Sequence, residues 1–295
     1  MILIVGCGFL GTYLAQCIST KTSEPVIATV RNTKNTVPLK NVEYIKCDIT
    51  KKDDIQNLYK ALEGERLTVF WFAACHNIDF ICENKDVAYE VNITALEHFL
   101  SSFTNIDKFY FASTDCVYGE NTPDGKAFDE AASLNPVNEY GKQKILAENL
   151  VRSKGFTVLR YPFMLGKAHG EKKHFYDILC SNLKEGIKTE MIDGMYRNVL
   201  SYRQAAELTL ELLKKDMLPE VINICSDTVL SKYQLGLILA EKLGASKELI
   251  TKITEDQGQK FFKDKRACCA KMDNSLLKEL TGYKKIIWEE EECFL

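Results

Sequence analysis

Short apolar runs alternate with amphipathic segments through the first 160 residues of the chain. The apolar runs are rich in β-branched and aromatic residues, as strands are, and they occupy residues 2–5, 26–30, 42–47, 67–73, 108–112 and 157–160. The segments between them have helical periodicity and occupy residues 9–19, 53–62, 85–103 and 139–154. This alternation predicts an α/β fold, a doubly wound parallel sheet with helices on both faces. In such sheets ligands bind at the carboxyl ends of the strands.

A glycine-rich turn follows the first apolar run and opens the first helical segment. Residues 6–11 read Gly-Cys-Gly-Phe-Leu-Gly, which matches the pattern G-x-G-x-x-G. Glycines allow a tight turn and let the backbone approach a pyrophosphate at the helix N-terminus. Placement between a strand and a helix favours a Rossmann dinucleotide site over an ordinary glycine turn. We therefore predict cofactor contacts at Gly6, Gly8, Phe9, Leu10 and Gly11.

The end of the second strand bears on the choice between NAD and NADP. An NAD site usually has an acidic residue there, which hydrogen-bonds the ribose hydroxyls. Residues 28–32 read Ala-Thr-Val-Arg-Asn and contain no acid. Arg31 could pair with a 2′-phosphate, so we predict NADP as the preferred cofactor and NAD as the alternative. The competing interpretation is that Arg31 is a solvated residue at a strand end.

Tyr140 and Lys144 are four residues apart, so on a helix they share one face. An ammonium group about 4 Å from a phenol favours the phenolate by roughly 4 kcal/mol at an effective dielectric constant near 20. That attraction would lower the pKa of Tyr140 by about three units and make it an acid or base near neutrality. The hydroxyl of Thr114 could hold the reacting oxygen against the phenol. A Tyr–Lys pair at this spacing also arises by chance, so the neighbouring motifs must support it.

Composition excludes several classes of function. The chain has 295 residues and a net charge of −3 with scattered basic residues, so we expect no nucleic-acid surface. No apolar run approaches the roughly 18 residues of a membrane span, and the start Met-Ile-Leu-Ile-Val does not resemble a signal peptide. Eleven cysteines without C-x-x-C spacing and four dispersed histidines indicate reduced thiols, a cytoplasmic protein and no metal site.

Further motifs resemble those of the extended short-chain dehydrogenase/reductases, which act mainly on nucleotide sugars. Cys47-Asp48-Ile49 is similar to the family's adenine contact, Phe72-Ala73-Ala74 to its cofactor-backing segment, and Val91-Asn92-Ile93 to the helix that follows. The resemblance implies cofactor contacts at Asp48, Ile49, Ala73, Ala74 and Asn92. It also implies that Thr114 is the catalytic hydroxyl, and that Tyr140 and Lys144 are the catalytic pair, with both also contacting the cofactor.

Within this family the chain most resembles the dTDP-4-dehydrorhamnose reductases and related 4-keto-sugar reductases. The triplet Ser113-Thr114-Asp115 and the segment 230–244 carry this likeness. The resemblance implies reduction of a 4-keto nucleotide sugar, with Tyr140 as the proton donor. Arg197 and Arg266 are candidates for substrate contacts, because arginine matches the geometry of phosphate. A surface position for Arg197 is the competing interpretation.

Cys116 separates the chemistries known in this family. Nucleotide-sugar 4,6-dehydratases have a Glu at this position, and without that carboxylate dehydration lacks its base. A combined epimerase/reductase of the family has a Cys here and a His early in the substrate lobe, where this chain has His174. An epimerase that uses Cys116 and His174 is therefore the alternative function. Otherwise, Cys116 is an apolar filler and His174 caps a helix or contacts a phosphate. A catalytically silent NAD(P)-binding regulator is the third hypothesis.

The chain is expected to form two lobes. We predict a cofactor-binding domain from residues 1–160 and about 197–225, and a smaller substrate-binding lobe from about 161–196 and 226–295. The acidic run at residues 289–292 is expected to be a solvated tail. A homodimer is the expected assembly.

Overall fold

The computed structural model describes residues 1–33, 36–122, 124–169 and 173–288, and the acidic run at 289–292 lies outside these ranges. Its centre is a sheet of seven parallel strands: β1 (Ile2–Val5), β2 (Val26–Val30), β3 (Val42–Lys46), β4 (Leu67–Trp71), β5 (Ile106–Thr114), β6 (Thr157–Tyr161) and β10 (Val221–Asn223). The order across the sheet is β10-β6-β5-β4-β1-β2-β3. Both neighbours of β1 pair with it in parallel, with Ile4 opposite Ala28 in β2 and Phe70 in β4.

Strand β1 shows why the sheet is covered on both faces. Successive side chains of a strand point to opposite faces, and all four residues of β1 are buried. Ile2 and Ile4 join the core on one face, whereas Leu3 and Val5 join the core on the other. A strand that is apolar at every position is stable only between two layers of helices.

Helices on the two faces complete these cores. On one face lie α1 (Phe9–Lys21), α8 (Tyr202–Leu213) and α11 (Ser275–Thr281). On the other lie α2 (Lys52–Ala61), α5 (Ala95–Ser102) and α6 (Glu139–Arg152). Two shorter helices, α3 (Ile78–Glu83) and α4 (Lys85–Tyr89), follow β4. The doubly wound Rossmann fold predicted from the sequence is therefore confirmed.

The helical segment predicted over 85–103 contains an irregularity that its periodicity did not indicate. Its central turn, Glu90–Thr94, is a π-helix between α4 and α5. π-Helical turns widen a helix and are frequent at functional sites. Here the wider turn carries the buried side chain of Asn92.

A second, smaller group of strands and helices covers the carboxyl edge of the main sheet. It contains β7 (Phe163–Leu165), β8 (Thr189–Ile192), β9 (Tyr196–Ser201), β11 (Val229–Ser231), β12 (Ile250–Ile253) and β13 (Cys269–Ala270). Its helices are α7 (Phe175–Lys184), α9 (Lys232–Lys242) and α10 (Glu255–Gln259). Strand β9 pairs with β7, β11 and β13. After β9 the chain returns to the main sheet through α8 and β10. The division into two domains at the residues given above stays a prediction.

No helix in the described part of the chain has the length and apolar character needed to cross a membrane. The ten cysteines within the described ranges are all free. Within the same ranges, no group of three or more His, Cys, Asp or Glu side chains is placed to hold a metal ion.

Candidate active site

Tyr140 lies in the first turn of α6, and Lys144 lies one turn further along the helix. The helix begins after Asn138, whose side chain accepts a hydrogen bond from the backbone N–H of Gly141 at 3.0 Å. Gly141 also allows α6 to approach the turn after β5, because a Cβ atom there would lie 2.5 Å from the carbonyl oxygen of Cys116. The glycine between Tyr140 and Lys144 therefore brings this helix close to Cys116.

The Lys144 ammonium group is buried against strand β5. Its Nζ donates a hydrogen bond to the carbonyl oxygen of Ala112 at 2.7 Å and lies 4.4 Å from the centroid of the Phe111 ring. Burial lowers the pKa of Lys144 to about 7, and the Glu148 carboxylate opposes this effect. Glu148 itself forms a buried ion pair with Arg160 at 2.6 Å. The charge of Lys144 is therefore poorly compensated by its surroundings.

The pKa of Tyr140 departs from our prediction. We expected the ammonium group of Lys144 to lower it, whereas burial raises it, and so do the nearby Cys116 and Asp115 side chains. The Lys144 Nζ lies 5.9 Å from the Tyr140 ring centroid and hydrogen-bonds the backbone. The prediction was wrong because it omitted the cost of burying a phenolate. Tyr140 is therefore a protonated phenol at neutral pH.

Thr114, Asp115 and Cys116 form a compact polar turn at the carboxyl end of β5. The Thr114 hydroxyl accepts a hydrogen bond from the backbone N–H of Cys116 at 3.2 Å and donates one to Asp115 Oδ1 at 3.1 Å. The Cys116 thiol lies 3.5 Å from the same carboxylate oxygen and donates to it. Burial, followed by the Asp115 charge, raises the pKa of Cys116 to about 11. Cys116 is therefore a thiol at neutral pH and a poor base.

Arg197 reaches this turn from strand β9. Its Nη1 forms an ion pair with Asp115 Oδ2 at 2.6 Å, and its Nη2 donates to the carbonyl oxygen of Ala267 at 3.3 Å. The Asp115 carboxylate raises the pKa of Arg197, although burial opposes this. The guanidinium predicted to bind substrate thus already has a carboxylate partner.

His174 is the residue that precedes α7 and acts as its N-cap. Its backbone N–H donates a hydrogen bond to the Asp177 carboxylate at 2.9 Å. Its ring packs 4.9 Å from the ring of Phe9 in the glycine turn, and its Nε2 lies 3.4 Å from the hydroxyl of Tyr202. His174 therefore connects the start of α1 with the smaller lobe.

Arg266 approaches the site from the segment between α10 and β13. Its Nη2 forms an ion pair with Asp79 at 2.9 Å, and its guanidinium carbon lies 4.6 Å from the centroid of the Phe262 ring. Asp79 belongs to α3, the short helix that follows β4. Arg266 thus links the smaller lobe to the segment that follows β4.

The glycine turn between β1 and α1 fits a dinucleotide pyrophosphate. Gly6 has a φ of +86°, and a Cβ atom there would lie 2.5 Å from the backbone of Ala73. In contrast, a Cβ atom at Gly8 would meet no atom within 4 Å. Gly8 is the N-cap of α1 and has no side chain to cover the helix N-terminus. Backbone N–H groups with an open approach at a helix N-terminus form a favourable site for phosphate. Phe9, Leu10 and Gly11 form the first turn of that helix.

Asn92 fixes the segment that follows β4, which includes Ala73 and Ala74. Its Oδ1 accepts a hydrogen bond from the backbone N–H of Cys75 at 2.8 Å. Its Nδ2 donates to the carbonyl oxygen of Cys75 and to the side chain of Gln143, both at 3.0 Å. The side chain predicted to contact the cofactor therefore ties the end of β4 to helix α6.

Arg31, Asp48 and Ile49 lie together at the ends of β2 and β3. Hydrogen bonds from Thr50 lower the pKa of Asp48, and the nearby charges of Lys51 and Arg31 act in the same direction. Arg31 is exposed, whereas Ile49 is buried. This arrangement provides a positive charge at the edge where a dinucleotide would place its adenosine ribose.

One cleft of about 350 Å³ collects most of the predicted catalytic and substrate-binding side chains. Six of them line it: Thr114, Cys116, Tyr140, His174, Arg197 and Arg266. A second cavity of about 310 Å³ adjoins it and shares Ile192, Lys232 and Phe262 with it. The sequence did not bring Asp115 or Lys232 forward as site residues. Asp115 stands within the motif that carries Thr114, and Lys232 stands within the segment 230–244, which indicated a family likeness but no role for this lysine.

The fold and this site define a dinucleotide-dependent oxidoreductase of the extended short-chain dehydrogenase/reductase type. The chain belongs to the NAD dependent epimerase/dehydratase family, whose model matches residues 2–225.

Individual relatives agree with this family. An uncharacterised UDP-glucose epimerase of Bacillus subtilis is 28% identical over 76% of this chain and 76% of its own length. A structure of a hypothetical dTDP-4-dehydrorhamnose reductase from Sulfolobus tokodaii has a TM-score of 0.81 and 22% identity, and the match covers 100% of both chains. A UDP-glucose 4-epimerase of Thermus thermophilus in complex with NAD has a TM-score of 0.82 and 18% identity over 99% of this chain and 96% of that chain. At these identities, the two structures show a shared fold.

Proposed function

We propose that this enzyme reduces the C4 ketone of a nucleotide sugar. The observation that carries the proposal is the single cleft that the Thr114 hydroxyl, the Cys116 thiol and the Tyr140 phenol line together. Burial raises the pKa of Tyr140, so the phenol retains its proton and can give it to the strongly basic oxygen that hydride addition creates. Cys116 is held as a thiol, which does not suit abstraction of a proton from a sugar carbon.

In the proposed reaction a hydride adds to the C4 carbon and a proton adds to the C4 oxygen. When bound, the reduced nicotinamide supplies the hydride. Thr114 donates a hydrogen bond to the oxygen as negative charge develops on it, which requires its hydroxyl to rotate away from Asp115. Tyr140 then gives its proton to the same oxygen, and the ketone becomes an alcohol. Lys144 is proposed to hold the nicotinamide ribose, within reach of Tyr140.

The two adjoining cavities support a nucleotide sugar as the substrate. The cleft with Tyr140 presents hydroxyl, thiol and guanidinium groups, which suit a sugar. The second cavity is mainly apolar, and its aromatic members Phe175, Phe261 and Phe262 suit the planar base of a nucleotide. We also propose NADP as the preferred cofactor, because Arg31 is exposed at the end of β2 and residues 28–32 contain no acid. A cytoplasmic location and a homodimer stay predictions.

A 4-epimerase is the second candidate, because the T. thermophilus structure is named a UDP-glucose 4-epimerase and the B. subtilis relative a UDP-glucose epimerase. Such an enzyme would oxidise C4 and reduce it again on the other face, so Tyr140 would have to act first as a base. The raised pKa of Tyr140 disfavours that first step.

The test is incubation with UDP-, GDP- and dTDP-4-keto-6-deoxy sugars and with NADPH carrying deuterium at the transferable position. We expect NADPH oxidation with deuterium at C4 of the product, and no solvent deuterium at C3 or C5. Tyr140→Phe is expected to lower kcat by at least about a hundredfold while NADPH still binds. Interconversion of UDP-glucose and UDP-galactose without net cofactor oxidation would instead establish the 4-epimerase. If no sugar is converted and Tyr140→Phe has no effect on any activity, the chain is a cofactor-binding regulator.

A further inference from the structure

Lys232 stands at the junction of the two cavities and lines both of them. Its ammonium nitrogen lies 5.9, 5.2 and 5.8 Å from the ring centroids of Phe163, Phe175 and Phe262. Three aromatic faces stabilise a cation but do not neutralise it. Lys232 therefore presents an uncompensated positive charge to the space between the cavities.

The charges around this junction do not balance. Arg197 is paired with Asp115 at 2.6 Å, and Arg266 is paired with Asp79 at 2.9 Å. Among the residues that the structure describes, no carboxylate lies within ion-pair distance of Lys232. Lys232 therefore has no ion-pair partner among these residues, and Glu190, the carboxylate that also lines the second cavity, is exposed to solvent.

The position of Lys232 in its helix adds to this excess. Lys232 is the first residue of α9, and Ser231 is the N-cap. A helix N-terminus carries a partial positive charge, so a lysine there is unfavourable for the helix itself. Burial lowers the pKa of Lys232 to about 8, and the charges of Arg197 and Arg266 lower it further in the same direction. An anion bound at the junction would relieve all of these repulsions.

We propose that Lys232 binds the diphosphate of the nucleotide-sugar substrate and determines the affinity of the site for it. This inference rests on the proposed function, because it takes the sugar to lie near Tyr140 and the base to lie in the aromatic cavity. In a nucleotide sugar the diphosphate joins those two parts, and Lys232 joins the two cavities. A diphosphate carries more than one negative charge, so it can interact with Lys232 and with the N-terminus of α9 together.

The experiment compares Lys232→Met with the matched control Lys242→Met, an exposed lysine at the other end of α9 that lines neither cavity. Calorimetry measures the binding of UDP, dTDP and GDP, of the corresponding nucleosides and of inorganic pyrophosphate to the full-length protein. We expect Lys232→Met to weaken diphosphate binding about tenfold to a hundredfold and to leave nucleoside binding unchanged. In turnover, KM should rise while kcat is retained. Lys242→Met should bind every probe as the wild type does.

The outcomes separate this inference from the proposed function. Equal diphosphate affinities of wild type and Lys232→Met would overturn the inference and leave the reaction untouched. Equal losses for nucleoside and diphosphate would also overturn it, because they would indicate collapse of the aromatic cavity. Recovery of most of the affinity in Lys232→Arg would support a requirement for charge. Pyrophosphate binding that depends on Lys232, without turnover of any keto sugar, would retain the anion site and refute the proposed reaction.

Discussion

Substitution of Lys144 by methionine is predicted to remove activity and to stabilise the protein at neutral and acidic pH. Lys144 is 4% exposed, and its ammonium group has one hydrogen bond, to the carbonyl oxygen of Ala112 at 2.7 Å. Methionine has a similar length and no charge, so it fills the same space without the cost of burying a cation. The residue predicted to act in catalysis would thus weaken the fold that holds it.

The magnitude follows from the pKa of Lys144. Its fall from 10.5 to about 7 corresponds to on the order of 5 kcal/mol at about 1.4 kcal/mol per pH unit. Between pH 7 and 10.5 the unfolded state binds more protons than the folded state, so the wild type gains stability as the pH rises. Below pH 7 the full penalty applies. Loss of the hydrogen bond costs the variant about 1 kcal/mol, which leaves it more stable by roughly 4 kcal/mol at pH 6.

The assay is urea unfolding of the cofactor-free protein at pH 6, 7.5, 9 and 10.5. The advantage of Lys144→Met should shrink across this series and reverse slightly at the highest pH. Thermal unfolding at pH 6 should shift upwards by about 6 °C. Lys142→Met, an exposed position on the same helix, is the control, and it should change the free energy of unfolding by less than about 0.5 kcal/mol at every pH. A variant less stable than wild type at pH 6, or a difference that does not change with pH, would refute the reasoning.

Three further predictions concern the cofactor site and the ion pair beside Tyr140. Gly6→Ala should lower the unfolding free energy by about 2 kcal/mol, because φ is +86° and a Cβ atom would lie 2.5 Å from backbone atoms. Gly8→Ala should have the unfolding free energy of the wild type but should bind NADPH at least about tenfold more weakly. Arg31→Ser should raise KM for NADPH about tenfold and leave KM for NADH unchanged, and equal effects on both would contradict the 2′-phosphate assignment. Asp115→Asn should cost about 2 kcal/mol in urea unfolding because it leaves the Arg197 guanidinium unpaired, and Arg197→Met in the same background should recover part of that loss.

The sequence was sufficient for the fold because the relevant signals are local. Runs such as residues 2–5 are apolar at every position, which predicts strands buried on both faces, and the structure places Ile2–Val5 inside the parallel sheet. The glycine turn was equally readable, since Gly6 and Gly8 follow a strand and precede a helix. The π-helical turn at Glu90–Thr94 was not, because its apolar spacing differs little from that of an α-helix.

The sequence by itself determined which residue types are present at the site: a hydroxyl at 114, a thiol at 116, a phenol at 140 and an ammonium group at 144. Only the tertiary structure decided their charge states and partners. Burial raises the pKa of Tyr140, and Asp115 pairs with Arg197 from a strand 82 residues later. Lys232 emerged in the same way, from aromatic rings on separate elements that surround it. A pKa or an ion pair depends on the three-dimensional environment, to which residues distant in sequence contribute most.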